Sequence, residues 1–146
     1  GVGDDNFTFG NGGTDSNIAF GATSITAPSD ARLKENVEDE KIGLSFINEL
    51  RPVTYQWKKE KDIPSEMNGY VANSDKRVMN GKYNHGFIAQ EVKAVIDKYD
   101  IKEGSGLWTE EENGAKRQRV GESELIPFLV KAIQELSAKV AALEAG

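Results

Sequence analysis

The stretch Pro-Ser-Asp-Ala-Arg-Leu-Lys-Glu-Asn, residues 28–36, divides the chain into two parts of different composition. Residues 1–29 contain no Lys or Arg, three acidic residues and six of the fifteen glycines, whereas all eighteen basic residues follow Asp30. Within the stretch, Ser29 and Lys34 can do chemistry together, because a serine hydroxyl becomes a strong nucleophile when a neutral amine removes its proton. The stretch therefore places a candidate Ser/Lys pair at a module boundary.

Such a pair makes two physical demands. A free lysine titrates near 10.4, so a lysine base that works near neutral pH needs its pKa lowered by roughly three units, or about 4 kcal/mol of differential desolvation. Residues five apart point about 140° from each other on a helix and to opposite faces of a strand. Either a turn or a second chain has to bring Ser29 and Lys34 together. The competing interpretation is a helix start that Ser29 or Asp30 caps.

Composition limits the function classes. At 146 residues, the chain has room for one domain of ordinary size and a short appendage. It has no cysteine and one histidine, so we expect no disulfide, no metal and no cofactor. A net charge of -6 disfavours nucleic acid as a partner, and we interpret the basic run at residues 116–119 as a solvated loop. The absence of a long apolar run predicts neither a membrane span nor a secretory signal.

The first residues carry a weak internal repeat. Asn-Phe-Thr-Phe-Gly at residues 6–10 is echoed by Asn-Ile-Ala-Phe-Gly at residues 17–21. Short strands bounded by Gly and Asn are typical of a repetitive β fibre, in which neighbouring chains cover faces that one chain cannot bury alone. The alternative is a disordered linker, because this composition buries little apolar surface.

Beyond Asp30, the spacing of apolar residues alternates between helical and strand periods, which predicts an α+β domain over residues 30–146. Its expected elements are, in order, a helix at 41–50, a strand at 53–57, a loop at 58–80, a strand or turn at 84–89, a helix at 90–99, and a hairpin of 107–109 with 117–120.

A long helix is predicted over about residues 123–145. Pro127 fits its first turn, where no amide donor is missed. Its apolar residues follow alternating steps of three and four, which is typical of a coiled-coil seam with β-branched residues at a and Leu at d: Ile126, Leu129, Ile133, Leu136, Val140 and Leu143. Such a seam requires partner helices. The alternative is a helix packed on its own domain, since under three heptads is short for a coiled coil.

Three blocks follow one another along the chain. They are Ser-Asp-Ala-Arg-Leu-Lys-Glu-Asn at 29–36, His-Gly-Phe-Ile-Ala-Gln-Glu-Val at 85–92, and Leu-Ile-Pro at 125–127. In this order they resemble the C-terminal intramolecular chaperone domain of phage tailspikes and tail fibres, of the endosialidase type. The resemblance extends from Ser29 to about Leu143.

The resemblance implies a homotrimer that registers an upstream β-structured fibre or spike of the same polypeptide and is then released by autoproteolysis. Residues 1–29 would be the end of that fibre and residues 30–146 the chaperone domain. The implied setting is the host cytoplasm during phage assembly, after which the fibre portion belongs to the virion tail. Because lysine desolvation requires packed surroundings, we expect cleavage to follow assembly.

The resemblance also implies residue roles. Ser29 is the nucleophile, Lys34 is its general base, and the severed bond is Ser29-Asp30. His85, Gln90 and Glu91 are candidates for supporting the site, and His85 fits a packing role equally well.

Two questions stay open at this stage. A serine that attacks its own carbonyl closes a strained four-membered ring, whereas attack on the carbonyl of Pro28 closes a five-membered ring and cuts before Ser29. The second question is the function itself, because an uncleaved structural or receptor-binding trimeric fibre tip fits the same pattern. The same domain in a eukaryotic membrane-bound transcription factor is a weaker alternative, because the first residues look like fibre repeats and no membrane span follows.

Overall fold

The computed structural model describes residues 4–146, which form two compact units, one ending at Asp39 and one spanning Glu40–Gly146. The described strands pair into three two-stranded antiparallel sheets, and a long helix ends the chain. The mixed α and β composition expected from the sequence is therefore confirmed. The predicted module boundary at residues 29 and 30 lies inside the first unit, so the compact units and the predicted modules divide the chain at different points.

The first unit begins with a hairpin of β1 (Asn6–Phe9) and β2 (Ser16–Ala19). Both halves of the sequence repeat thus contain a strand, as predicted. Asn17 is buried on this hairpin, where its side chain accepts a hydrogen bond from Thr8 Oγ1 at 2.7 Å and donates one to Asn6 Oδ1 at 2.9 Å. These bonds satisfy the polar face of the hairpin within one chain.

The opposite face of the hairpin is aromatic and exposed. Phe7 and Phe9 project from β1 with their ring centroids 5.8 Å apart, and both side chains are exposed. Phe20, just after β2, is 72% exposed. The first unit therefore leaves apolar surface uncovered that a larger core would bury.

Apart from this hairpin and a 3₁₀ turn at Ala31–Leu33 in the first unit, the described helices, turns and strands lie in the second unit. Thr54 lies opposite His85 in one antiparallel pair, and Thr109 lies opposite Arg119 in the other. The elements are, in chain order, α1 (Leu44–Glu49), β3 (Val53–Tyr55), a 3₁₀ turn (Glu60–Asp62), β4 (Asn84–Gly86), α2 (Ala89–Ile96), β5 (Trp108–Glu110), β6 (Gln118–Val120), a second 3₁₀ turn (Glu122–Leu125) and α3 (Ile126–Ala145).

These elements confirm the main sequence predictions, with bounds that differ by a few residues. The helix expected over 41–50 begins at Leu44, because Gly43 at its N-terminus is not helical, with φ -149° and ψ -114°. The β5–β6 hairpin forms as predicted, with Gly114 in its turn at φ 71°, a conformation that suits glycine.

The hydrophobic core of the second unit is small and aromatic at its centre. Phe46 of α1 is fully buried and packs edge-on against Phe128 of α3 and Tyr99, with ring centroids 5.3 Å apart in each pair. The buried residues of this cluster are Phe46, Val92, Val95, Leu107, Leu125 and Phe128. Burying apolar area of this kind stabilises a fold by about 25 cal/mol per Å².

The C-terminal helix packs on its own unit through one face and leaves another face free. Phe128 and Ala132 of α3 are buried, whereas all six seam residues are at least 40% exposed in the single chain: Ile126, Leu129, Ile133, Leu136, Val140 and Leu143. In the single chain, α3 therefore packs on its own domain, as the predicted alternative states, but the seam residues stay exposed. In the described part of the chain, no helix has the length and apolarity needed to cross a membrane.

Candidate functional site

Ser29 and Lys34 are brought together by one tight turn. A 3₁₀ turn spans Ala31–Leu33, and the backbone N–H of Lys34 donates to the carbonyl of Ala31 at 3.2 Å. Lys34 then returns to an extended conformation, with φ -119° and ψ 140°, and its Nζ donates a hydrogen bond to Ser29 Oγ at 2.6 Å. The sequence allowed either a turn or a second chain to bring Ser29 and Lys34 together, and the structure contains the turn.

Asp30 caps this turn, in agreement with the competing interpretation of the sequence. Its Oδ1 accepts hydrogen bonds from the Arg32 backbone N–H at 2.9 Å and from Nε at 3.0 Å, and its Oδ2 accepts one from Nη2 at 2.7 Å. The Arg32 guanidinium and backbone N–H lower the pKa of Asp30, and the carboxylate raises the pKa of Arg32. The cap and the Ser/Lys contact therefore occur together in one turn.

Arg32 is absent from the residues predicted for the site. The signal that points to it is the Asp-x-Arg spacing, in which a capping carboxylate precedes a guanidinium by two residues. Because a guanidinium presents a planar fork of donors, it can hold both oxygens of that carboxylate at once.

The Ser/Lys pair is open to solvent. Ser29 and Lys34 are both exposed in the single chain, and their hydrogen bond is a surface one. Desolvation is what favours an uncharged lysine, so an exposed position does not supply what a lysine base requires. In the single chain, the side chains of Ser29 and Lys34 are in contact, but neither is buried.

The remaining candidates, His85, Gln90 and Glu91, belong to the second unit. Gln90 is exposed near the start of α2. The Glu91 carboxylate binds the guanidinium of Arg51 through two bonds, Nε to Oε2 at 2.9 Å and Nη2 to Oε1 at 2.5 Å. This contact lowers the pKa of Glu91, raises that of Arg51, and ties α2 to the segment that follows α1.

His85 is exposed on β4 at an open cavity of about 550 Å³. Glu122 contributes a carboxylate to the same wall, so close to Gly86 that a Cβ there would lie 2.9 Å from Glu122 Oε1. The lining residues are Pro52, Val53, Thr54, His85, Gly86, Phe87 and Glu122. The cavity combines apolar walls with one imidazole and one carboxylate.

Two structural observations bear on other chemistry. In residues 4–146, no group of three or more His, Asp or Glu side chains is arranged to hold a metal ion. In the basic run interpreted as a solvated loop, Arg117 and Arg119 are exposed and both bind the Glu111 carboxylate, and Gln118 and Arg119 lie on β6.

Comparison with known proteins gives one family. A family model described as the chaperone of endosialidase matches residues 29–101, which is half of the 146 residues. The match begins at Ser29, includes the catalytic and supporting candidates, and ends before β5, so the Leu-Ile-Pro block at 125–127 and the seam of α3 lie outside it. No curated protein and no solved structure matches the chain. The family's name classes it among the peptidases, and by the extent of the match the chain belongs to the chaperone of endosialidase family.

Proposed function

We propose that the chain is an intramolecular chaperone that trimerises, registers an upstream phage tail fibre or tailspike for folding, and then releases itself by cleavage at Ser29-Asp30. The observation that carries the proposal is the 2.6 Å contact between Lys34 Nζ and Ser29 Oγ in a chain of this family. Residues 1–29 are then the end of the fibre. Assembly takes place in the host cytoplasm, and the fibre joins the virion tail.

The proposed chemistry uses the pair as nucleophile and base. Ser29 Oγ attacks a peptide carbonyl carbon while uncharged Lys34 Nζ takes the hydroxyl proton. The tetrahedral adduct collapses by breaking the C–N bond, and Lys34 returns the proton to the departing nitrogen, which leaves as an amine. Water then hydrolyses the ester, which gives a carboxylic acid and restores the hydroxyl.

The position of the cut follows from which carbonyl is attacked. A cut at Ser29-Asp30 breaks the bond at the carbonyl of Ser29 itself, which its own hydroxyl reaches only through a strained four-membered ring. In a trimer, the hydroxyl of Ser29 from a second copy removes that strain. Attack on the Pro28 carbonyl closes a five-membered ring and cuts one bond earlier.

Assembly is proposed to switch the pair on. In the single chain, Lys34 is exposed and the coiled-coil seam of α3 lacks a partner. A trimer formed through that seam supplies neighbouring surface that can exclude water from the amine, which favours the uncharged base. Cleavage then follows folding and does not precede it.

The chaperone role has a kinetic basis. Non-local β pairing has to overcome loop-closure entropy before its contacts stabilise it, so holding three chains in register lowers that barrier. Once the chaperone is removed, the mature fibre cannot readily refold, and its persistence depends on a slow unfolding rate as well as on equilibrium stability.

Intact-mass measurement of the purified protein tests the proposal. We expect a large fragment that begins at Asp30. A large fragment beginning at Ser29 would assign the five-membered route, and the self-cleavage proposal would stand with a corrected bond.

The second candidate is an uncleaved structural or receptor-binding fibre tip. It is favoured by the cap that Asp30 forms and by the exposure of the Ser/Lys pair, which are what a simple surface turn requires. A single intact mass from a preparation that sedimentation shows to be trimeric would establish this candidate and reject self-cleavage.

A further inference from the structure

We propose that Arg32 is a positioning residue for the self-cleaving pair, because it holds the Asp30 carboxylate away from the Lys34 amine. The inference rests on the proposed self-cleavage. It goes beyond the proposed function by assigning a role to a residue whose guanidinium bonds Asp30 and not Ser29 or Lys34.

Both oxygens of Asp30 are occupied by Arg32, one by Nε and the backbone N–H and the other by Nη2, at distances from 2.7 to 3.0 Å. A two-point contact between guanidinium and carboxylate fixes orientation better than a single ion pair does. The carboxylate is therefore aimed at Arg32.

Lys34 Nζ bonds the neutral hydroxyl of Ser29, and it takes part in none of the ion pairs found among the described residues. A charged acceptor binds an ammonium more strongly than a hydroxyl does. Asp30 follows Ser29 directly in the chain, so a released Asp30 carboxylate would compete with Ser29 for the amine.

An amine paired with a carboxylate is held in its charged form, which has no lone pair to accept the serine proton. By neutralising Asp30, Arg32 leaves the amine on the hydroxyl. The other charges in the same segment are Lys34 itself and Glu35, and among residues 4–146 Glu35 takes part in none of the ion pairs found.

The experiment measures the rate of cleavage of the full chain during cell-free synthesis, with intact and cut chains separated on a gel. We expect Arg32→Ala to slow cleavage about two- to tenfold, the range of an exposed charge-assisted pair. The cleavage rate of Arg32→Lys should lie between those of the wild type and Arg32→Ala, because lysine keeps the charge but loses the planar fork.

The deciding variant combines Arg32→Ala with Asp30→Asn. Asparagine still caps the turn but carries no charge, so residue 30 no longer competes for Lys34. We expect this double variant to cut faster than Arg32→Ala alone. A purely structural role for Arg32 predicts the opposite, since the double variant has lost every charge that strengthens the turn.

The control is Arg117→Ala, which removes a comparable two-point contact, with Glu111, in the second unit and should leave the rate unchanged. Each variant is also made with Ser29→Ala, and equal sedimentation and circular dichroism of these intact chains show that assembly is equal. Suppose that the wild-type chain cleaves. If Arg32→Ala then cleaves at the wild-type rate, or if the double variant cleaves no faster than Arg32→Ala, the inference about Arg32 is overturned and the proposed function is not. A wild-type chain that never cuts overturns the proposed function as well.

Discussion

The carboxylate of Glu135 accepts a hydrogen bond from the backbone N–H of Leu44, with Oε2 and N 3.0 Å apart, and so joins α3 to the first residue of α1. Gly43, the N-cap of α1, has no side chain that could accept this hydrogen bond. The helix that carries the exposed seam thus also completes the start of α1, which ties the surface proposed for assembly to the core of the second unit.

Removing this cap should destabilise the second unit. We expect Glu135→Ala to lower the free energy of unfolding by about 1 kcal/mol, the usual cost of a lost N-cap, and Glu135→Gln to cost less because an acceptor oxygen remains. Urea denaturation of the Ser29→Ala chain, at one fixed protomer concentration, measures both. The control is Glu144→Ala, on the exposed end of α3. If it lowers the free energy of unfolding as much as Glu135→Ala does, the lost cap does not explain the effect.

A side chain at Gly43 should also be costly. An added Cβ would lie 2.8 Å from Lys131 Cγ, 2.9 Å from Glu135 Oε1 and 3.1 Å from the backbone N of Ala132, so α1 and α3 would have to separate slightly. We expect Gly43→Ala to lower the free energy of unfolding by about 1–3 kcal/mol. Gly81→Ala is the matched control, since nothing lies within 4 Å of a Cβ there.

The base can be tested without removing its charge. Lys34→Arg keeps a cation that can donate to Ser29 Oγ, but a guanidinium does not lose its proton in proteins. We therefore expect Lys34→Arg and Ser29→Ala chains to stay intact, with assembly unchanged, as read by intact mass and sedimentation. Two fragments from Ser29→Ala would falsify the assignment of the nucleophile.

The seam should control cleavage through assembly. Leu136 and Val140 are 50% and 45% exposed in the single chain, so Asn at both positions should leave the fold of the second unit intact while separating the copies. We expect the double variant to be monomeric and to cut at least tenfold more slowly, because a monomer leaves Lys34 in water.

The control for the seam places the same residue on the outer face of α3. Ala138→Asn with Ala141→Asn lowers helix propensity at least as much as the seam changes do but leaves the seam unchanged. Sedimentation velocity and a cleavage time course should show this variant assembled and cut. Full cleavage by monomers of the seam variant would separate processing from assembly.

Glu111 should show a strong dependence on pH. Hydrogen bonds from Arg117 and Arg119 lower its pKa from 4.5 to about 2. A lowered pKa in the folded state stabilises the protein above pH 4.5, and this contribution is lost as the pH falls toward 2. The stability difference between wild type and Glu111→Gln should therefore shrink over that window.

Carbon-detected NMR titration of the Glu111 carboxyl checks this directly. Arg117→Ala should move its pKa back toward 4.5, because Arg117 makes the largest contribution to the shift. An unchanged midpoint in Arg117→Ala would contradict the assigned cause.

Local features of the fold were predictable from the residues alone. The β5–β6 hairpin follows from strand-forming residues on either side of Asn113-Gly114, and the long helix follows from its apolar spacing. Nothing in the spacing predicted that Phe128 and Ala132 would form the packing face of α3 while the seam stayed open. That choice depends on α1, which is distant in sequence.

Part of the candidate site could likewise be predicted from the sequence, and part could not. Ser29 and Lys34 were chosen from residue type and resemblance, and their separation by five positions argued against local contact. Contact is made because Asp30 and Arg32 close a 3₁₀ turn between them. For Glu91, the two-point contact with Arg51 could not be predicted, since it joins residues 40 positions apart.

By itself, the amino-acid order indicated which residue types could react, and it determined where short strands and helices form and which helix carries an apolar seam, because these elements depend on neighbours a few positions away. Tertiary structure alone decided which face of α3 is buried, which carboxylate begins α1, and that the Ser/Lys pair lies open to water. These outcomes depend on the packing of distant segments, whose free energy is set by burial and by paired charges and is not encoded in local spacing.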